Sequence, residues 1–118
     1  MTGAPHPAWL EAIREREKLL GADTVRRMAD LFIRELEDLL SRASAELSVD
    51  NAQGAREFIH NLGGNAGCLD FTDLHNVIAA AEKACTSGKT QEARDTMPAI
   101  SSLARDKAEQ LRRLYQLS

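Results

Sequence analysis

Apolar residues recur at intervals of three and four along most of this 118-residue chain, which is the spacing of one face of an α-helix. No segment alternates apolar and polar residues as a half-buried β-strand does. The longest pattern predicts a helix of about six turns that begins near Asp23 or Thr24. Its core side is expected to carry Val25, Met28, Leu31, Phe32, Leu36, Leu39, Leu40, Ala43 and Leu47.

Two further helices are predicted from boundary residues on either side of this one. A short first helix runs from Pro7, a favourable first-turn residue, to Leu20, with Gly21 as its stop. Asp50 is expected to cap a third helix, with Gln53 completing a capping box. The third helix ends near Leu69.

The rest of the chain predicts two more helices. Thr72 is expected to cap a fourth helix, which ends at residues 86–88. A fifth begins around Thr90, and Pro98 predicts either a kink or a late start with Thr96 as its cap. Short connections make neighbouring helices antiparallel. We therefore expect one all-α domain over residues 1–118, an up-down antiparallel four-helix bundle of about residues 23–115, with an additional short N-terminal helix over 7–20 capping one end.

Charge and hydropathy exclude several classes of function. Fifteen basic and eighteen acidic residues give a net charge of −3, and the two signs are interleaved. Without a sustained basic patch, nucleic-acid binding is not expected. No apolar run has the ~18 residues of a membrane span, and the N-terminus lacks the features of a signal peptide. We expect a cytoplasmic protein that acts as a monomer without membrane contact.

The two cysteines lie on successive antiparallel helices in this arrangement. Counting along the helices separates Cys68 from Cys85 by roughly 20 Å, which is too far for a disulfide. Both are expected to be buried, reduced thiols.

One histidine of the third helix stands among glycines. On a helical wheel His60 falls opposite the apolar stripe, and Arg56 is one turn before it on the same face. Each mid-helix glycine costs roughly 0.5–1 kcal/mol relative to alanine. A face cleared of side chains around a titratable nucleophile indicates docking by another macromolecule. The predicted docking surface comprises Glu57, Asn61, Gly63, Gly64 and Gly67.

His60 has three other possible roles: a solvated surface residue, a metal ligand and a member of a catalytic triad. A lone histidine on a helix is usually a solvated surface residue, although the neighbouring glycines argue against that here. Glu57 and His60 have the Glu-x-x-His spacing of di-metal bundles, but no second copy exists and His6 and His75 lie in different settings. No metal site is therefore predicted. A triad hydrolase is favoured even less, because neither a serine elbow nor a paired base is recognisable.

Phosphoryl transfer fits the residues better. A neutral imidazole offers a nitrogen lone pair at neutral pH, and its other nitrogen must be held so that the tautomer is fixed. Counting equal numbers of residues from the predicted turn near residue 71 places Glu82 beside His60, with Lys83 adjacent. Glu82 is therefore a candidate acceptor for the Nδ1 proton. The alternative is that Glu82 faces solvent, paired with Lys83 or another neighbour.

The segment from Phe58 to Leu69 resembles the histidine-containing phosphotransfer (HPt) domains of bacterial multistep phosphorelays, whose signature is His-x-Leu-Lys-Gly. The resemblance covers about residues 23–115. It implies that His60 is the phosphorylated histidine and that Gly64 lets a receiver domain approach. The family lysine is Gly63 here, and the glycine usually found ten residues after the histidine is Asp70. Arg56 and Lys83 are candidates to supply the missing positive charge.

The resemblance also implies partners and limits. The chain would carry a phosphoryl group between receiver-domain aspartates of response regulators and hybrid histidine kinases, with Mg²⁺ bound by the receiver and no cofactor of its own. It would be a phosphoryl carrier rather than an enzyme, since nothing in the sequence resembles an ATP site. The alternative is a non-catalytic helical adaptor, a degenerate HPt domain that binds a receiver or kinase without phosphotransfer.

Overall fold

The structure, a computed structural model, describes residues 7–117. They form five helices and no strand: α1 (Ala8–Leu20), α2 (Ala22–Ser48), α3 (Ala52–Cys68), α4 (Thr72–Thr86) and α5 (Thr90–Tyr115). Helices adjacent in the chain pack against each other, and α5 closes the bundle against α2. The prediction of an all-α up-down bundle with an additional N-terminal helix is confirmed.

The core of the bundle is apolar throughout, because no polar or charged residue between positions 7 and 117 is buried. The α3–α4 turn lies at the end of the bundle where Phe71 meets Phe32 of α2 edge to face, with 5.7 Å between ring centroids. The first helix inserts Ile13 into this core, and Tyr115 of α5 donates a hydrogen bond to Glu17 over 2.7 Å. These contacts attach α1 to the bundle.

One residue of the predicted core face of α2 lies elsewhere. Leu31 is 49% exposed, whereas its neighbour Phe32 is completely buried. At 100° per residue, position 31 lies about 140° from the centre of the buried stripe of α2. The prediction that Leu31 lies in the core is therefore wrong. Leu31 is three residues after Met28, but its angular position on the helix lies outside the buried stripe.

The start of α3 also differs from the prediction. Asn51 caps this helix, with its side chain accepting a hydrogen bond from the backbone N–H of Gly54 at 3.0 Å. Asp50 instead has a left-handed backbone (φ +58°) and forms an ion pair with Arg94 of α5. The prediction of Asp50 as the cap is wrong, because Asp50 is needed for the turn. The predicted capping box with Gln53 is wrong as well. With Asn51 as the cap, the third residue of the helix is Gly54, which has no side chain to complete the box.

Two other predicted caps are wrong. Thr72 is the first residue of α4, and the preceding Phe71 provides no side-chain cap. The late start of α5 at Thr96 is wrong as well, because the helix runs without a break from Thr90 through Pro98. The Thr96 hydroxyl donates to the carbonyl of Glu92 at 2.9 Å, as it does inside a helix.

Candidate functional site

His60 stands on the outer face of α3, between α2 and α4. The side of α3 that carries Ala55, Ile59, Leu62 and Ala66 is buried in the core. The His60 side chain is 68% exposed. The apolar stripe of α3 therefore fixes the helix in the bundle and turns the imidazole toward solvent.

A carboxylate from α4 binds one nitrogen of this imidazole. Glu82 Oε1 lies 2.7 Å from His60 Nδ1, and the Glu82 side chain is only 25% exposed. Because an ionised carboxylate only accepts hydrogen bonds, the proton of this bond lies on Nδ1 of the ring. A ring that carries a single proton, on Nδ1, keeps its lone pair on Nε2. The α3–α4 hairpin thus favours the tautomer that carries its proton on Nδ1 and its lone pair on Nε2.

The two cations expected near His60 are placed differently. Arg56, one turn earlier on α3, has Nη2 4.0 Å from the same Glu82 Oε1 that binds the ring. Lys83 is exposed on α4, and its side chain forms no ion pair with any residue in the described range. Arg56 is therefore brought to the histidine–carboxylate pair by an ion pair, whereas Lys83 follows Glu82 on α4 with its side chain exposed.

The three glycines of the predicted docking surface meet different surroundings. A Cβ added at Gly64 would have no atom within 4 Å beyond its own helix backbone, so this position is open. One added at Gly67 would lie 3.5 Å from Nδ1 of His75. Gly63 is buried, and a Cβ there would lie 3.0 Å from Ile78 Cγ2. The expectation that all three lie on an unpacked face is wrong for Gly63, because α4 packs closely against it.

Shallow depressions flank His60 on both sides. On the α2 side, Asn61 and Gly64 line one together with Glu35 and Asn65, and Asn65 Nδ2 donates to Glu35 Oε1 at 2.9 Å. On the α4 side, Gly64 and Gly67 line the other together with Cys68, His75 and Glu82. Glu57 is exposed one turn before Asn61. The surface around His60 is thus concave and poor in large side chains.

Sequence reasoning missed the Glu35–Asn65 pair and the position of His75. The pair follows from counting equal numbers of residues from the α2–α3 turn at Asp50, the procedure that identified Glu82 from the α3–α4 turn. His75 Nδ1 lies 3.4 Å from the carbonyl oxygen of Gly63. This approach depends on how closely the two helices pack, and the spacing of residues does not reveal that.

The cysteines differ in exposure. Cys85 is buried, and burial together with the neighbouring Glu82 charge raises the pKa of its thiol, while the charge of Arg56 acts in the opposite direction. Cys68 is exposed, so the prediction of two buried thiols is wrong for it. Cys68 is two helical turns after His60 and one after Gly64, which places its thiol on the docking side of α3.

The turn after α3 contains a residue with a left-handed backbone. Asp70, at the position where the family usually has glycine, has φ +60°. This left-handed conformation favours glycine and is tolerated by aspartate better than by most residues. The aspartate at position 70 is thus compatible with the backbone that this turn requires.

The structure of residues 7–117 bears on metal binding and on membrane insertion. No group of three or more His, Cys, Asp or Glu side chains in this range is arranged to hold a metal ion. None of the five helices is long and apolar enough to cross a membrane.

Comparison with known proteins gives one match. No curated protein and no solved structure matches the chain. The model of the Hpt domain family matches residues 27–116, which is more than half of the sequence. Hpt domains are phosphotransfer intermediaries without an ATP site of their own, and they interact with receiver domains and kinases in phosphorelays. The chain therefore belongs to the Hpt domain family, whose role is histidine phosphotransfer.

Proposed function

We propose that His60 Nε2 accepts a phosphoryl group from a receiver-domain aspartate and passes it to a second receiver. The observation that carries this proposal is the 2.7 Å bond from Nδ1 to Glu82 on a side chain that is otherwise mostly exposed. The bond leaves Nε2 unprotonated and accessible, which is what an attacking nitrogen requires.

On the side of this chain, the phosphoryl transfer requires only His60 and Glu82. The Nε2 lone pair forms a bond to phosphorus while the P–O bond of the aspartyl phosphate breaks, and the bonding electrons leave with the aspartate carboxylate. The ring, still protonated on Nδ1, then bears a positive charge beside the Glu82 carboxylate. This charge pair stabilises the phosphorylated ring. The reverse displacement delivers the group to the next receiver.

The docking surface would be centred on Gly64, where a partner can approach the helix backbone closely. Asn61, Gly67 and Glu57 surround this position on the exposed side of α3. Gly63 contributes indirectly, since its missing side chain lets α4 bring Glu82 toward the histidine. A transient contact of this kind buries under ~1,200 Å² in total. Mg²⁺ would be bound by the receiver.

The lysine of the family pattern has no counterpart at Gly63, so a cation near the phosphoryl group must come from elsewhere. Lys83 suits this role, since it is exposed next to Glu82 and forms no ion pair in the described part of the chain. Replacing Lys83 with methionine should shorten the lifetime of the phosphohistidine without changing the fold.

The decisive experiment is labelling of the intact chain by a phosphorylated receiver domain from the same genome, with Mg²⁺. We expect acid-labile, alkali-stable label on the wild type and none on His60→Gln. His75→Gln is the matched control, because this exposed histidine lies in the same α3–α4 depression. Label that persists on His60→Gln, or that is lost on His75→Gln alone, would contradict the assignment.

The alternative function is receiver binding without phosphotransfer. This alternative is favoured by the glycine at position 63, where the HPt signature has a lysine. Phosphoramidate, a small donor that needs no docking, distinguishes the two. A chain that binds receivers but takes no label from either donor would be an adaptor. Label from phosphoramidate on His60 would show that the nitrogen is reactive.

A further inference from the structure

We infer that Arg56 is a positioning residue that acts through Glu82 to fix the tautomer of His60. The inference rests on the proposed function, because it concerns the nitrogen that would carry the phosphoryl group. It assigns to Arg56 a role different from direct contact with that group.

One carboxylate oxygen joins the three residues. Glu82 Oε1 lies 2.7 Å from His60 Nδ1 and 4.0 Å from Arg56 Nη2. Arg56 and His60 are one turn apart on α3, so both approach this oxygen of α4 from the same helix. At 4.0 Å, Arg56 and Glu82 form an ion pair without a direct hydrogen bond. The positive charge of the guanidinium therefore orients the Glu82 carboxylate by electrostatic attraction.

The guanidinium of Arg56 is buried at one nitrogen and reaches Glu82 with another. Arg56 Nε is buried without a hydrogen-bond partner, although the side chain as a whole is 44% exposed. The charges of Arg56 and Glu82 both act on the buried thiol of Cys85. The guanidinium therefore lies over the α3–α4 contact, on the side of the ring that carries Nδ1.

This location separates two roles. A group that contacts the phosphoryl oxygens must lie near Nε2, from which the Nδ1 direction points away. Arg56 instead lies beside the oxygen that accepts the Nδ1 proton. If Arg56 holds that oxygen over Nδ1, removing the guanidinium releases the carboxylate to other rotamers. The proton is then free to move to Nε2, and the nucleophilic lone pair is lost from that nitrogen.

The size of the effect follows from the exposure of the pair. Partly exposed ion pairs contribute up to ~1 kcal/mol, which corresponds to a factor of about five in a population ratio. We expect Arg56→Met to lower the ratio of the Nδ1–H to the Nε2–H tautomer of His60 about twofold to fivefold. Arg56→Lys keeps the charge and should restore part of the ratio.

The test is ¹⁵N NMR of the histidine-labelled, unphosphorylated chain at about pH 8, where an ordinary histidine is neutral. The ¹⁵N shifts of the ring report the tautomer ratio directly, and His60→Gln assigns the signals. Arg113→Met is the matched control, because Arg113 is an exposed arginine of α5 that pairs with Glu109. The ratio should be unchanged in this control. Circular dichroism verifies that each variant is folded.

A double-mutant comparison separates action through Glu82 from any other effect. In a Glu82→Gln background the charge that Arg56 orients is gone, so Arg56→Met should cause no further change in the ratio. A ratio unaffected by Arg56→Met in the wild type, or lowered equally in both backgrounds, overturns the inference. So does a phosphohistidine lifetime, measured after phosphoramidate labelling, that Arg56→Met shortens equally in both backgrounds while the tautomer is unchanged.

Failure of the proposed function would give a different result. A His60 that takes no label from phosphoramidate or from a receiver refutes phosphotransfer, whereas the tautomer ratio is measured without either donor. The two outcomes are therefore independent.

Discussion

The adjacent glycines of α3 offer a matched pair of substitutions. Gly63 and Gly64 lie in the same helical turn, so changing either to alanine gives the same gain in helix propensity. They differ in what the new methyl group meets, which is Ile78 Cγ2 at 3.0 Å for Gly63 and nothing within 4 Å for Gly64. The difference in stability between the two variants therefore measures the closeness of the α3–α4 contact.

The magnitudes follow from this geometry. Gly64→Ala should raise the free energy of unfolding by about 0.5–1 kcal/mol. At about 2.1 cal/mol/K of unfolding entropy per residue, this raises the Tm of the chain by about 2–4 °C. Gly63→Ala has the same gain but incurs about 1–3 kcal/mol of overpacking, because the new methyl group lies 3.0 Å from Ile78 and Ile78 is buried, with 1% of its surface exposed. We expect Gly63→Ala to be less stable than Gly64→Ala by about 1–3 kcal/mol.

Urea unfolding followed by circular dichroism at equilibrium gives both free energies. Repeating the pair in an Ile78→Ala background removes the Cγ2 atom, and the difference between the two alanine variants should then disappear. Equal stability of Gly63→Ala and Gly64→Ala in the wild-type background would refute the close packing. A difference that survives in the Ile78→Ala background would show that the cause lies elsewhere than in this contact.

Two further predictions concern titration and thiol chemistry. Burial and the hydrogen bond to Glu17 raise the pKa of Tyr115, so the protonated phenol stabilises the fold at neutral pH and this stabilisation is lost as the pH rises beyond about 10. The free energy of unfolding measured against pH should fall less steeply there in Tyr115→Phe, and identical slopes would contradict the assignment. Ellman's reagent should modify Cys68 quickly in the native chain and Cys85 only in denaturant, because Cys85 is buried. Two rapidly reacting native thiols would show that Cys85 is accessible.

The helices and their order could be predicted from the sequence because the buried stripes repeat over many turns. The long stripe of α2 tolerates one misplaced residue, Leu31, without changing the prediction for the helix. Caps are less predictable, since they depend on which residue of a short turn adopts the left-handed backbone. At the α2–α3 turn that residue is Asp50, so the cap falls on Asn51.

The surroundings of the candidate site could also be predicted only in part. Counting from a turn places Glu82 beside His60 because two helices joined by a short turn keep a common register. The burial of Gly63 could not be predicted, because it depends on the distance between α3 and α4. The side chains of both helices together set that distance, so it cannot be derived from the helical wheel of α3 alone.

The contact between Gly63 and Ile78 constrains how this sequence can evolve. A lysine at position 63, as in the HPt signature, would place its Cβ 3.0 Å from Ile78 Cγ2, so the side chain of Ile78 would have to shift. Making room first, by Ile78→Ala, opens a cavity that costs about 2–5 kcal/mol. Whether Gly63→Lys or Ile78→Ala occurs first, the single mutant is less stable than the present protein. Replacement of the glycine at position 63 is therefore disfavoured. If His60 carries a phosphoryl group as proposed, selection on the lifetime of that group would therefore act on exposed positions such as Lys83 rather than by regaining a lysine at position 63.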